Sequence, residues 1–204
     1  MRGTFQILLL PCLMFSPQGT DDKAFVGGNT YRGVEVAIDL PLKQHVKNIA
    51  RPPGPNGLGC CVFATLDMCA RWTNQEELIG IIEKIEKGGG WPEKVDRVIK
   101  QFAPSTVYVQ YEGSDPAFLD RAIQSGRPCG VTYGYGERYG NETIPHMVLL
   151  VHLDANLAAV VDNNYPGTFE WMSRDEFLKR WKHPSNKGWA YALLGPPPPP
   201  PPHN

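Results

Sequence analysis

The run Arg51-Pro52-Pro53-Gly54-Pro55-Asn56-Gly57 cannot be helical: its prolines fix φ and remove backbone donors, and its glycines loosen the chain. Soon after it comes a mostly apolar stretch without Gly or Pro, Cys60-Cys61-Val62-Phe63-Ala64-Thr65-Leu66-Asp67-Met68-Cys69-Ala70-Arg71-Trp72. This abrupt change predicts a loop feeding a buried helix, with a pair of cysteines on its first turn. The first turn of a helix carries unpaired N–H groups and the positive end of the macrodipole, so it favours an anion. A thiol placed there is expected to ionise more readily and to be a better nucleophile. The competing reading is that both cysteines are small buried hydrophobes.

The chain has 204 residues, 42% of them hydrophobic, enough to bury one proper core in a single domain of one or two lobes. A net charge of -1, with lysines and arginines scattered, gives no electrostatic reason to expect nucleic acid or an anionic membrane as partner. The cysteines, Cys12, Cys60, Cys61, Cys69 and Cys129, are too unevenly spaced for a disulfide framework and show no zinc-type pairing. No metal or other cofactor is implied.

At the N-terminus, residues 1–20 read as an export signal: Arg2 is followed by the apolar run Ile7–Leu10 and Leu13–Phe15, too short to span a bilayer. This implies a secreted or periplasmic protein, or a cytoplasmic one if the stretch is not a signal. No later run could cross a membrane. Residues 21–50 read as an arm lying across the domain, with a short strand at Val34–Ile38. After the cysteine helix, Thr73-Asn74-Gln75-Glu76 resembles a capping box, and Leu78, Ile81, Ile82 and Ile85 would share one face of a second helix, ended by Gly88-Gly89-Gly90. Trp91-Pro92 opens a third helix, Val107–Tyr111 alternates as a strand, and Asp115-Pro116 starts a fourth helix that stops at Gly126. From residue 128 the period changes to 2, with strands expected at Cys129–Tyr135, His146–Leu153, Leu157–Asp162 and Trp189–Leu194. Asp154-Ala155-Asn156 is a tight turn, and Asp175–Trp181 a short amphipathic helix. Helices first and strands later is the α+β pattern. The chain closes on seven prolines, Pro196–Pro202, a polyproline segment at 196–204 that serves either as an inert spacer or as a contact for another protein.

A thiolate needs a base. His146 stands at the start of the apolar strand His146–Leu153, and Asp162-Asn163-Asn164 ends the next one. With the turn at 154–156, an antiparallel hairpin brings His146 and Asp162 to the same open end. An acceptor there, Asp162 or Asn163, would hold one imidazole nitrogen and leave the other for the thiol. Cys, His and Asp/Asn in that chain order make a nucleophile, a base and an orienting group.

These residues resemble the papain-like cysteine peptidases, most closely the bacterial bacteriocin-processing (double-glycine) type, over about residues 51–195. That family's helix opens C-G-P-A-A-L-x-M. With Cys61 as nucleophile, Ala64, Thr65, Leu66 and Met68 take its A, A, L and M positions; with Cys60, the papain pattern C-W-A-F-S falls on Cys60–Ala64 instead. The resemblance implies a papain-like α+β fold, in which a nucleophile helix packs on a C-terminal antiparallel sheet. It also implies hydrolysis of a peptide or protein substrate by Cys61, His146 and Asp162 or Asn163. Where the family has an oxyanion-hole Gln ahead of the nucleophile, the nearest amide here is Asn56, which with the Cys61 backbone N–H would hold the oxyanion. Val62 replaces the family's Gly after Cys. Two other readings fit the same residues: a transglutaminase-like acyl transferase, and a peptidase-like domain that binds without catalysis.

Overall fold

Seven strands form one antiparallel sheet: β1 (Phe25–Gly27), β2 (Tyr108–Gly113), β3 (Cys129–Tyr133), β4 (His146–Leu153), β5 (Leu157–Val161), β6 (Phe169–Ser173) and β7 (Gly188–Leu193). Their spatial order is β1-β6-β5-β4-β3-β7-β2. The computed structural model describes residues 23–195. The expected export signal at 1–20 and the polyproline segment at 196–204 lie outside the described residues. Five helices accompany the sheet: α1 (Cys61–Trp72), α2 (Ile81–Lys84), α3 (Pro92–Phe102), α4 (Ala117–Gln124) and α5 (Arg174–Lys182). The chain is therefore of mixed α+β class. No helix among the described residues is long and apolar enough to cross a membrane.

Helix α1 is buried on every side from Cys61 to Ala70, as expected of a helix apolar around its whole circumference. It packs on β4, β3 and β7 at the centre of the core. Thr73 closes it, its hydroxyl donating to the Cys69 carbonyl at 2.9 Å. The β4–β5 hairpin turns at Asp154, whose side chain accepts from the N–H groups of Asn156 and Leu157, both at 2.7 Å. This is the local hydrogen bonding that suits Asp to a turn.

Several expected elements differ. The helix expected to start at Thr73 or Asn74 is a series of turns; only Ile81–Lys84 is helical. Asn74 and Gly80 both take positive φ (52° and 75°), which stops a right-handed helix from propagating. Leu78, Ile81, Ile82 and Ile85 are buried nonetheless. The strand expected over Val34–Ile38 is only Val34–Glu35, paired with Thr30–Tyr31. Beyond it the arm joins the core through Val36, Ile38 and Leu40. Strands β1 and β6 have no counterpart in the sequence reading. β1 caps one edge of the sheet through Phe25–Gly27 against Phe169–Trp171, so the arm is part of the sheet.

The segment Gly88–Gly90 presses against the entrance of α1. A Cβ at Gly88 would lie 1.8 Å from the Leu58 carbonyl oxygen, and one at Gly90 2.5 Å from the Val62 Cβ. Lys94 secures the segment, donating to the carbonyls of Lys87, Gly88 and Gly89 at 2.6, 2.9 and 2.7 Å. Because the atom facing Gly88 is backbone, Gly88→Ala should destabilise the protein by about 1–3 kcal/mol. Urea denaturation would show a lower midpoint at unchanged slope; a wild-type midpoint would contradict this packing.

Candidate active site

At the entrance of α1 the two cysteines occupy different surroundings. Cys60 is the N-cap residue and is fully buried; Cys61 is the first helical residue and lines an open cavity of about 1080 Å³. Burial pushes the Cys60 thiol up, although Lys94 and Arg51 nearby pull the other way. Cys69 is pushed up by burial to about 12, and Cys129, buried beside it, is raised as well. No disulfide forms among these four.

His146 and Asp162 meet at the open end of the β4–β5 hairpin, where the imidazole Nε2 is 2.9 Å from the carboxylate Oδ1. An ionised carboxylate only accepts, so the proton between them sits on Nε2. That leaves Nδ1 free of a proton on the side away from the carboxylate. Burial alone would push the His146 pKa down; the Asp162 carboxylate bonded to it and the nearby Cys61 thiol overcome this and raise it to about 9. Burial would push the Asp162 carboxyl up; the hydrogen bonds from His146, Tyr139 and the Asn164 N–H outweigh it and hold the carboxyl low.

The neighbouring Asn163 turns the other way. Its Nδ2 contacts the Cys61 carbonyl (3.2 Å), the Thr65 hydroxyl (3.0 Å) and the Met147 carbonyl (2.8 Å), tying the strand end to α1. β5 ends at Val161 and the chain turns at Asn163, so that Asp162 faces the histidine and Asn163 the helix. Asn56 is exposed on the Pro-rich loop and is not among the cavity-lining residues. The side-chain amides in the cavity wall are Asn48, from the arm, and Asn164; the Asn48 Nδ2 donates to the Asn164 Oδ1 at 2.9 Å. As the first residue of its helix, Cys61 has no intrahelical acceptor for its N–H.

The sequence reading did not single out Asn48, Tyr139 or Asn164. Tyr139, on the turn before β4, donates to Asp162 Oδ2 at 2.6 Å. Neither arm nor turn carries a periodic pattern that would have marked them. No group of three or more His, Cys, Asp or Glu among the described residues could hold a metal ion. Neither a scan against protein-family models nor a search of curated proteins finds a match for the chain.

The His146–Asp162 pair should make stability depend on pH. The raised His146 pKa contributes stability that is complete below about 6.5 and is lost as the pH rises through about 9. The lowered Asp162 pKa contributes stability present above 3.8 and lost as the pH falls through its folded value. Between pH 6.5 and 9 the wild type should therefore lose on the order of 1–3 kcal/mol that Asp162→Asn does not lose. Urea denaturation across that range, wild type against variant, checks this; parallel curves would contradict it.

Proposed function

We propose that the protein is a thiol-dependent peptidase of the papain-like class. The observation that carries this reading is the series Cys61, His146 and Asp162, the first two in the wall of an open cavity and the third buried behind His146 with a Nε2–Oδ1 contact of 2.9 Å. In this reading Cys61, as thiolate, attacks the carbonyl of a peptide or protein substrate. His146 takes the thiol proton and delivers it to the leaving amine, and Asp162 keeps the ring turned and offsets the imidazolium charge. The Cys61 N–H is a donor available to the developing oxyanion. Water then attacks the thioester with His146 as base, releasing the acid and restoring the thiol. The chemistry needs no cofactor.

The surroundings of the thiols support the same assignment. Burial raises the thiol pKa values of Cys60, Cys69 and Cys129, and none of the three lines the cavity, whereas Cys61 does, as does His146.

A peptide-library screen read by mass spectrometry tests the proposal. Cys61→Ser should lower kcat/KM by ~1,000-fold or more, within the range for loss of a nucleophile, while Cys60→Ser should stay within about threefold of wild type. Turnover that survives in both single variants would sink the peptidase reading. Transfer to an added amine in place of hydrolysis would favour the acyl transferase.

The pH–rate profile is a second test. kcat/KM should be bell-shaped, its alkaline limb set by the proton His146 loses near pH 9 and its acid limb by the thiol–imidazole pair as a unit. A profile that climbs steadily through pH 9 would count against a thiolate–imidazolium pair.

A further inference from the structure

The hydrogen bonds behind His146 continue past Asp162 in a single direction. Asp162 uses Oδ1 for His146 Nε2 and for the Asn164 backbone N–H, both at 2.9 Å, and Oδ2 for the Tyr139 hydroxyl at 2.6 Å. A carboxylate only accepts, so Tyr139 must donate its proton there. The Tyr139 oxygen then accepts from Asn164 Nδ2 at 2.9 Å, and the Asn164 Oδ1 in turn accepts from Asn48 Nδ2 at 2.9 Å. Every donor and acceptor in the series is thus fixed from the carboxylate outward.

Tyr139 is itself firmly placed. It ends a short turn, Glu137–Tyr139, stopped by Gly140 at φ 65°. The Glu137 carboxylate receives both of its close bonds, 2.8 and 2.9 Å, from Nη2 of the buried Arg180 on α5. The tyrosine ring lies 5.5 Å from the His146 ring and lines the same cavity as Cys61.

We propose that Tyr139 is a positioning residue of this site: its hydroxyl clamps Asp162 Oδ2 so that Oδ1 stays turned to His146, and through His146 it governs how readily Cys61 ionises. The inference rests on the peptidase reading for its role in turnover, but the clamp can be measured without a substrate. The charged and titratable groups around Asp162 are His146 on β4, Tyr139 on its turn, Glu170 on β6, whose own proton affinity Asp162 raises, and Cys61 beyond His146. Tyr139 is the one of these that donates a neutral hydrogen bond to the carboxylate. Without that bond Asp162 takes a proton at higher pH and is free to turn from the imidazole, so the thiolate–imidazolium pair forms at higher pH.

The experiment is the pH dependence of Cys61 alkylation by iodoacetamide, followed at the Cys61 peptide by mass spectrometry. In Tyr139→Phe the acid midpoint should move up by about 0.5–1 on the pH scale, so that on the acid limb Cys61 reacts about 3- to 10-fold more slowly. Asn164→Ala keeps the tyrosine and removes the N–H that its oxygen accepts; it should move the midpoint the same way by a smaller amount. Tyr165→Phe, which removes only a hydroxyl that donates to the Arg138 carbonyl, on a ring that packs against Tyr139, should match wild type. Thermal unfolding is recorded for each. An unmoved midpoint in Tyr139→Phe overturns the proposal, as does a downward shift, which would mean the hydroxyl only withdraws charge from a carboxylate held by other contacts. If Tyr139→Phe fails to fold, an unmoved midpoint in native Asn164→Ala overturns it. A protein with the expected shifts that cleaves no peptide would sink the peptidase reading and leave the clamp standing.

Discussion

A single side-chain amide holds the helix that begins at Cys61 against the sheet that carries His146. Asn163 Nδ2 reaches the Cys61 carbonyl and Thr65 hydroxyl on α1 and the Met147 carbonyl on β4. Thr65 adds to the clamp by donating back to the Cys61 carbonyl at 2.8 Å. These groups are buried, where a polar atom left unpaired costs about 1–3 kcal/mol, so each of them favours one register of helix on sheet. Once that register is set, Asp162, just past the end of β5, lies on the other side, against His146. Two adjacent residues thus divide the work, one locating the thiol and the other orienting the imidazole.

The glycine segment braces the same helix from the other side. Lys94 is drawn out of water far enough that burial lowers its pKa, yet its ammonium donates to three carbonyls and lies 5.1 Å over the Phe63 ring. Cation–π and charge-assisted contacts of this kind offset the loss of hydration. The result fixes where α1 begins, and so separates two neighbouring thiols. Cys60, as the N-cap, is fully buried, while Cys61, the first helical residue, lines the cavity.

What the sequence made legible was local. The β4–β5 hairpin declares itself through period-2 alternation and the turn chemistry of Asp154, and those two features bring His146 to Asp162. The same four-residue capping pattern occurs twice with opposite outcomes. Ser173-x-x-Glu176 caps α5, Ser173 accepting from the Glu176 N–H at 3.2 Å, whereas Thr73-x-x-Glu76 opens no helix. The difference is tertiary: Thr73 already serves as the C-cap of α1, and positive φ at Asn74 and Gly80 interrupts the helical path of residues 74–80. β6 was hidden because it is short and buried on both faces, Glu170 being buried against Arg180 on the face away from Phe169 and Trp171, a pairing no local pattern announces. Asn48 was hidden because an arm with little regular structure reaches the site through isolated backbone bonds, Asn48 N–H to the Asn163 carbonyl at 2.8 Å and Cys60 N–H to the Ile49 carbonyl at 2.9 Å, and pattern reading has no purchase on such contacts.

That buried charge explains how the far side of the site keeps its shape. Arg180 spends its Nε on Glu176, its Nη1 on Tyr133 and Glu170, and its Nη2 on Glu137. A guanidinium has a rigid planar fork of donors, so these partners are held at set angles as well as set distances. Three carboxylates surround this one cation, with Arg138 3.8 Å from Glu170 and Lys179 3.8 Å from Glu176 at the edge of the cluster. Burial raises the Glu170 pKa, and the pull of Tyr133, Arg180 and Arg138 does not fully reverse it. An apolar cluster could fill the same volume with less desolvation, but it would not fix angles. Here the angle matters, because Glu137 opens the short turn on which Tyr139 rides, and Tyr139 bonds the carboxylate that faces His146. The ion cluster and the Cys–His–Asp line are therefore one continuous polar frame, running from α5 through a surface turn to the start of α1.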